Sequence, residues 1–265
     1  MSFIQAIILG IVQGLTEFLP VSSSAHLVLV PDILGWDLPS TSFDIFLHLG
    51  TMVAVVAYFW RDIVEIAASF FQHDRVAPAR RRLGILLIVG TIPAAVIGAA
   101  FQKKFEELFN EPAEVAVFLI ITGIVLVASE AVARQKRHIK DLSITDSVII
   151  GAAQAVAIAP GISRSGATIS TGLFLGLTRE AAARYSFLLS IPIIAGAAIL
   201  KLRHGFEGGN GETAATLIPG FLAAAISGFA AIRFLLGYVR RHNLRVFALY
   251  CWVMGGGVLL WKLIG

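Results

Sequence analysis

Long apolar runs separated by short polar loops dominate the pattern of this chain. An α-helix needs about 17 to 25 apolar residues to cross the core of a bilayer. Six runs reach this length, so the pattern predicts six transmembrane helices. They cover residues 43–60, 84–101, 114–133, 180–200, 214–236 and 246–264.

Two further apolar segments, residues 3–34 and 144–177, are interrupted near their middle. Pro20 is followed closely by a run of serines, and Pro160 is followed directly by Gly161. Because proline and glycine break helices, each segment predicts two half-helices rather than one span. Each must begin and end on the same side if the six spans alternate across the membrane. We therefore expect two re-entrant helical hairpins.

The two broken segments share a sequence pattern. GIVQG at residues 10–14 resembles GAAQA at residues 151–155, and a proline with serines follows in both copies, as PVSSS and PGISRS. We interpret residues 1–133 and 134–265 as inverted-topology repeats within one all-α membrane domain, residues 1–265. Such repeats place a site where their broken helices meet near the bilayer midplane.

Composition and charge agree with an integral membrane protein. The chain is 57% apolar and 14% charged, with a mean hydropathy of +0.83, which exceeds what a soluble core requires. Most loop Lys and Arg residues fall on one side, which is therefore predicted to be cytoplasmic, with both termini outside. The net charge of +4 arises in these loops and does not indicate a nucleic-acid partner. Residues 3–25 lack the basic start of a signal peptide, so we expect them to be retained.

The first broken segment carries polar groups in a helical arrangement. Gln13 and Glu17 are four residues apart and share one helix face. An acidic group inside a membrane helix costs about 2.5 to 3.5 kcal/mol, which favours a functional Glu17 over a carboxylate at the membrane surface. After the break, Ser22 and Ser23 are expected to cap a helix or bind substrate. His26 lies three residues beyond Ser23, within reach as an acid or base.

The second broken segment carries a positive charge. Arg164 offers a planar fork of donors that matches phosphate oxygens, and the free N–H groups of a helix start favour an anion. The residues beside it are Ser163, Ser165, Gly166 and Thr168. The pattern predicts a phosphate-binding cradle. A compatible alternative is an ion pair between Arg164 and Glu17 that joins the two halves of the chain.

Brought together, the two segments supply the parts of a phosphoryl-transfer site. Phosphate-ester or phosphoanhydride hydrolysis needs a nucleophile, an acid or base, and groups that neutralise phosphate oxygens. A lipid phosphate as substrate would explain why the site lies within the bilayer. His48, in FLHLGT, is interpreted as a hydrogen-bonded packing residue, and the single Cys251 as a small apolar filler.

The stretches QGLTEFLPVSSSAH and PGISRSGAT closely resemble the two signature motifs of the bacterial undecaprenyl-diphosphate phosphatases, the integral-membrane bacitracin-resistance family. The resemblance covers essentially the whole chain. It implies an enzyme that hydrolyses undecaprenyl diphosphate to undecaprenyl phosphate and inorganic phosphate, which recycles the lipid carrier for peptidoglycan synthesis. It also implies a location in the bacterial plasma (inner) membrane, a site open to the outer face, and a divalent cation, Mg²⁺ or Ca²⁺.

The resemblance also implies a role for each matching residue. It places the metal-binding pair on Gln13 and Glu17, the catalytic serine on Ser23, the essential histidine on His26 and the phosphate-binding arginine on Arg164. Gln13 stands where many relatives have glutamate, so only one carboxylate would hold the cation. Two mechanisms stay open: Ser23 attacks phosphorus with His26 as base, or His26 or Glu17 activates a water.

The main alternative function is a secondary transporter or lipid flippase, because inverted repeats with broken helices are a transporter architecture. That alternative predicts movement of the lipid without release of phosphate. Clusters of Gly and Ala at residues 181–183, 223–225 and 255–257 permit close helix packing. This packing would lie either within one protomer or in a homodimer, and both options stay open.

Overall fold

The protein is all-helical over the residues that the computed structural model describes, which are 1–71, 76–108, 111–203 and 213–264. These residues form eleven α-helices, one short 3₁₀ helix and no β-strand, apart from an isolated bridge between Arg137 and Leu177. The α-helices are α1 (Phe3–Phe18), α2 (Ser23–Leu34), α3 (Thr41–Tyr58), α4 (Trp60–Ser69), α5 (Ala77–Leu108), α6 (Pro112–Val132), α7 (Ile144–Val156), α8 (Arg164–Phe174), α9 (Arg179–Arg203), α10 (Ala214–Val239) and α11 (Arg245–Ile264).

Six of the described helices are long and apolar enough to cross a membrane, which confirms the six predicted spans. These candidate spans are Thr41–Tyr58, Ala77–Phe101, Pro112–Val132, Arg179–Leu200, Ala214–Val239 and Arg245–Ile264. The clearest difference from the prediction lies in α5, which starts at Ala77 rather than at residue 84. The basic residues at 80–82 continue its helical turns, because arginine is a good helix former and needs no apolar surroundings at a helix end.

One helix was not predicted. α4 follows α3 directly after Phe59, whose backbone leaves the helical region (φ −98°, ψ 20°). It packs against α5, and the guanidinium of Arg81 donates to the Ser69 carbonyl at its end (Nη2–O 2.7 Å). Its apolar residues lie on one face only, so no long apolar run marks it in the sequence.

Glycines set how closely the broken segments approach their neighbours. A Cβ placed on Gly10 would lie 2.4 Å from the Gly220 carbonyl oxygen, so α1 and α10 touch through their backbones. A Cβ placed on Gly151 would lie 2.2 Å from the Gly90 carbonyl oxygen, so α7 and α5 touch in the same way. The similar blocks GIVQG and GAAQA therefore make the same kind of contact, and each contact joins the two halves of the chain.

A group of ion pairs fixes one end of the bundle. Glu130, at the end of α6, accepts hydrogen bonds from Arg179 at the start of α9 (Nη2–Oε2 2.6 Å) and from the Leu244 N–H (2.8 Å), and its side chain is 1% exposed. Arg137 binds Asp146 in the first turn of α7 (Nη1–Oδ1 3.2 Å). Burial opposes ionisation of Asp146, but hydrogen bonds from Arg137 and Ser143 outweigh it and lower the pKa of this carboxyl.

Candidate active site

The first break separates α1 from α2 and places several hydroxyl groups at the start of α2. α1 ends at Phe18, because Leu19 turns to an extended backbone (φ −67°, ψ 142°) ahead of Pro20. Ser22 is the N-cap of α2, and its hydroxyl accepts a hydrogen bond from the Ala25 N–H (3.3 Å). Ser23 follows as the first residue of the helix.

Glu17 is the centre of the polar cluster at this break. Its Oε2 accepts hydrogen bonds from the Ser23 hydroxyl (2.6 Å) and from the Gln13 amide (Nε2–Oε2 3.0 Å). Its Oε1 accepts a hydrogen bond from Arg164 Nη2 (2.7 Å). Both Gln13 and Glu17 are buried. An ionised carboxylate at such a place is stable only because three donors replace the water it has lost.

The second break comes to the same place from the other half of the chain. Arg164 is the first residue of α8, and its pair with Glu17 confirms the predicted ion pair between the two halves. Its Nη1 also donates to the Ser186 carbonyl on α9 (3.3 Å). Two direct contacts join the breaks: the Gly161 N–H donates to Ser24 Oγ (3.3 Å), and Ser165 Oγ donates to the Leu19 carbonyl (3.0 Å).

A cavity of about 260 Å³ opens beside this cluster. Its polar side is lined by Glu17, Ser22, Ser23, Ser24, His48 and Arg164. The rest of its wall is apolar and consists of Ile45, Ala157, Ile158, Ile162, Ile193, Ile194, Ala197 and Ala198. A pocket with a few convergent polar groups and an apolar wall suits a ligand that has a charged head and an apolar chain.

Four predicted substrate-binding residues are near the cluster but do not line the cavity. Ser163 is the N-cap of α8 and accepts a hydrogen bond from the Gly166 N–H (3.0 Å). Thr168 binds back to the Arg164 carbonyl (2.8 Å) and to Ser186 Oγ (2.7 Å). With Ser165, these residues are buried and hold the start of α8 in position, and their binding of substrate stays a prediction.

The two histidines of the region differ in their relation to the cavity. His26 is buried and does not line the cavity; its Nε2 meets the hydroxyl of Tyr250 on α11 (2.6 Å). His48, interpreted from the sequence as a hydrogen-bonded packing residue, does bind the Asp44 carbonyl through Nδ1 (2.8 Å), and it also lines the cavity with its Nε2 3.8 Å from Glu17 Oε2. One available signal was its position inside an otherwise apolar span, where an ionisable residue is rare.

The fold and the site together define a class of protein: a multi-pass membrane protein with a buried carboxylate and a partly buried serine and arginine at an amphipathic cavity. The model of the family described as bacitracin resistance protein BacA matches residues 6–257. The chain belongs to this family. An undecaprenyl-diphosphatase from Moorella thermoacetica is 48% identical over 250 residues, which cover 94% of each chain. Undecaprenyl-diphosphatases from Geotalea daltonii and Rubrobacter xylanophilus are 45% and 46% identical, again over 94% of each chain.

Proposed function

We propose that this protein hydrolyses undecaprenyl diphosphate to undecaprenyl phosphate and inorganic phosphate. The reaction returns the lipid carrier to peptidoglycan synthesis and confers resistance to bacitracin. The observation that carries the proposal is the meeting of Ser23, Glu17 and Arg164 at one cavity whose other wall is apolar. The polar side suits a diphosphate and the apolar side suits the first units of a prenyl chain. The similar proteins are undecaprenyl-diphosphatases, which supports the same reaction.

The contacts suggest a mechanism through the serine. Ser23 Oγ attacks the terminal phosphorus, and its proton passes to Glu17 Oε2, which already accepts its hydrogen bond. The bond between the terminal phosphorus and the bridging oxygen breaks, and undecaprenyl phosphate leaves. Arg164 neutralises the non-bridging oxygens. Water then breaks the bond between phosphorus and Oγ, Glu17 returns its proton to Ser23, and one proton of the water passes to solvent.

Glu17 serves as the base in this scheme because the Ser23 hydroxyl points to it. His26, which the sequence suggests as the base, does not line the cavity. In the alternative mechanism a water attacks phosphorus directly and Ser23 only binds phosphate. Both mechanisms use the same residues, and they differ in whether a phosphoserine forms.

The donor set fits a divalent cation that the substrate helps to hold. Gln13 Oε1 is buried and accepts no hydrogen bond from any described residue, and it belongs to the side chain that contacts Glu17. No group of three or more His, Cys, Asp or Glu residues forms a metal cage within the described part of the chain. Mg²⁺ commonly binds through one or two protein oxygens together with phosphate oxygens. Gln13 and Glu17 would hold Mg²⁺ or Ca²⁺, which would neutralise part of the diphosphate charge.

We also propose that the broken segments are re-entrant hairpins of two inverted repeats. α1 and α2 have 16 and 12 residues, and α7 and α8 have 13 and 11, so each is shorter than a membrane crossing requires. α1 packs on α10, the second long helix of the other half, and α7 packs on α5, its equivalent in the first half. Exchanging the two halves thus exchanges these contacts, as a repeat with two-fold pseudosymmetry requires.

The proposed orientation follows from the charges. Arg137, Arg179, Arg184 and Arg240 form ion pairs at one end of the bundle, which the positive-inside rule places in the bacterial cytoplasm. The two termini and the mouth of the cavity then belong to the outer side of the inner membrane. A homodimer stays a prediction; Gly256 and Gly257 on α11 have open space where a Cβ would stand, which would allow another helix to approach.

Single-turnover phosphate release from a polyprenyl diphosphate in detergent micelles tests the function and the mechanism. Wild type should release phosphate and pass through a species phosphorylated on Ser23, and Ser23→Ala should release none. Ser190→Ala is a matched control, because its hydroxyl donates to the Phe187 carbonyl within α9 (2.7 Å) and Ser190 does not line the cavity. Labelled water oxygen in the phosphate without any phosphoserine would favour the water mechanism. Binding of the lipid by folded wild type without phosphate release would favour the transporter.

A further inference from the structure

Both ring nitrogens of His26 are occupied. Nδ1 lies 2.7 Å from the Ser22 carbonyl oxygen, and Nε2 lies 2.6 Å from the Tyr250 hydroxyl. A carbonyl oxygen can only accept, so Nδ1 carries the proton, and in the neutral ring Nε2 accepts from Tyr250. The two rings stack with an interplanar angle of 10° and a centroid separation of 5.6 Å. The imidazole is therefore held at both nitrogens by other residues, and His26 itself does not line the cavity.

The residue that His26 binds has a strained backbone. Ser22 has φ 68° and ψ 100°, a region that residues other than glycine rarely adopt. Such a conformation persists only where the surroundings enforce it. The Ser22 carbonyl accepts from the ring of His26 and also from its backbone N–H (3.3 Å). The next residue is Ser23, whose hydroxyl reaches Glu17.

α11, which carries Tyr250, contacts the first broken segment at two further points. Cys251, next to Tyr250 on α11, places its Sγ 3.7 Å from the Pro20 carbonyl. Near the end of α11, Lys262 pairs with Asp32 on α2 (Nζ–Oδ1 3.1 Å). α11 thus contacts the first broken segment on both sides of the strained residue, at Pro20 before it and at His26 and Asp32 after it.

The geometry points to His26 and Tyr250 as positioning residues for the serine. Tyr250 fixes the imidazole, the imidazole holds the Ser22 carbonyl, and the strained Ser22 directs the Ser23 hydroxyl toward Glu17. In this role His26 transfers no proton to or from the substrate. The inference rests on the proposed hydrolysis and assigns to Tyr250, over two hundred residues away in sequence, a part in it.

Two substitutions of His26 separate positioning from acid–base chemistry. In His26→Asn the amide nitrogen occupies about the place of Nδ1 and can still donate to the Ser22 carbonyl, whereas in His26→Gln the amide lies near the place of Nε2. Neither amide can act as a base. We expect His26→Asn to keep kcat within about 10-fold of wild type and His26→Gln to lose about 10²-fold. Equal losses of about 10² to 10⁴-fold in both variants would overturn the inference in favour of acid–base catalysis.

Tyr250→Phe gives a second, independent measurement. We expect kcat to fall about 10-fold with KM unchanged in the wild-type background, and no further fall when His26 is already Asn, because asparagine does not reach Tyr250. Tyr238→Phe is the matched control, since Tyr238 also stacks on a histidine, His242, at 4.6 Å and 18°. It should leave kcat unchanged. Equal kcat for Tyr250→Phe and wild type would contradict the inference while leaving the proposed function intact.

Stability and phosphate release are measured separately for all of these His26 and Tyr250 variants. Thermal unfolding in detergent identifies any variant that has lost its fold, and the comparison is then made among the remaining folded variants at matched temperature. Absence of phosphate release from folded wild type would contradict the proposed function itself. Active wild type with indistinguishable His26→Asn and His26→Gln variants would contradict only the positioning role.

Discussion

At the scale of single residues, Arg164 makes two hydrogen-bonding contacts at once, and a point charge would not provide the geometry for both. Its guanidinium binds the Glu17 carboxylate and the Ser186 carbonyl through different nitrogens while it lines the cavity. A lysine at this position would keep the positive charge but would lack the planar set of N–H donors of the guanidinium. We predict that Arg164→Lys lowers kcat/KM for phosphate release by about 10²-fold. Arg240→Lys is the matched control, because its pair with Glu180 is exposed; equal rates for the two variants would contradict the assignment.

The sequence predicted two of the contacts among these polar residues, but it did not predict the surroundings of the two histidines. The four-residue spacing of Gln13 and Glu17 was sufficient to predict that they share a face, and the ion pair to Arg164 followed from opposite charges in two broken helices. The direction in which His26 points was not predictable, because its partner Tyr250 lies on the last helix. The position of His48 at the cavity was not predictable for a similar reason, because the packing of α3 beside α1 brings it to Glu17.

At the scale of helices, the contact between α5 and α7 depends on the absence of a side chain. A methyl group on Gly151 would overlap the Gly90 carbonyl oxygen and force the two helices apart. We predict that Gly151→Ala destabilises the protein by about 1 to 3 kcal/mol. Gly237→Ala is the control, since nothing lies within 4 Å of the added Cβ. Melting curves in detergent measure the difference, and coincident curves would show that this contact is not tight.

Helices were predictable from the sequence where a long apolar run identifies them. The six spans follow from apolar length, which depends only on the local sequence. α4 was missed because it is short and polar on one side, and its place depends on contacts with α5. The start of α5 was placed too late because helical hydrogen bonding continues beyond the apolar run.

At the scale of the whole molecule, Glu130 joins α6, α9 and the residue before α11. Removing its charge would leave the partly buried Arg179 without an anionic partner, at a cost of about 3 to 5 kcal/mol. We predict a large fall in melting temperature for Glu130→Gln. Replacing both residues by leucine should restore much of the loss, because no unpaired charge then remains. A double variant as unstable as Glu130→Gln would show that the pair itself, rather than the unpaired charge, sets the stability.

The central claim is that two broken helices, one from each half of the chain, form one hydrolytic site. A double-mutant cycle on phosphate release with Glu17→Ala, Arg164→Ala and the combined variant tests it most directly. We predict that wild type releases phosphate, that each single variant loses about 10³-fold or more, and that the double variant is hardly slower than either, because the residues act as a unit. Losses that multiply in the double variant would mean that Glu17 and Arg164 act independently and would contradict the account.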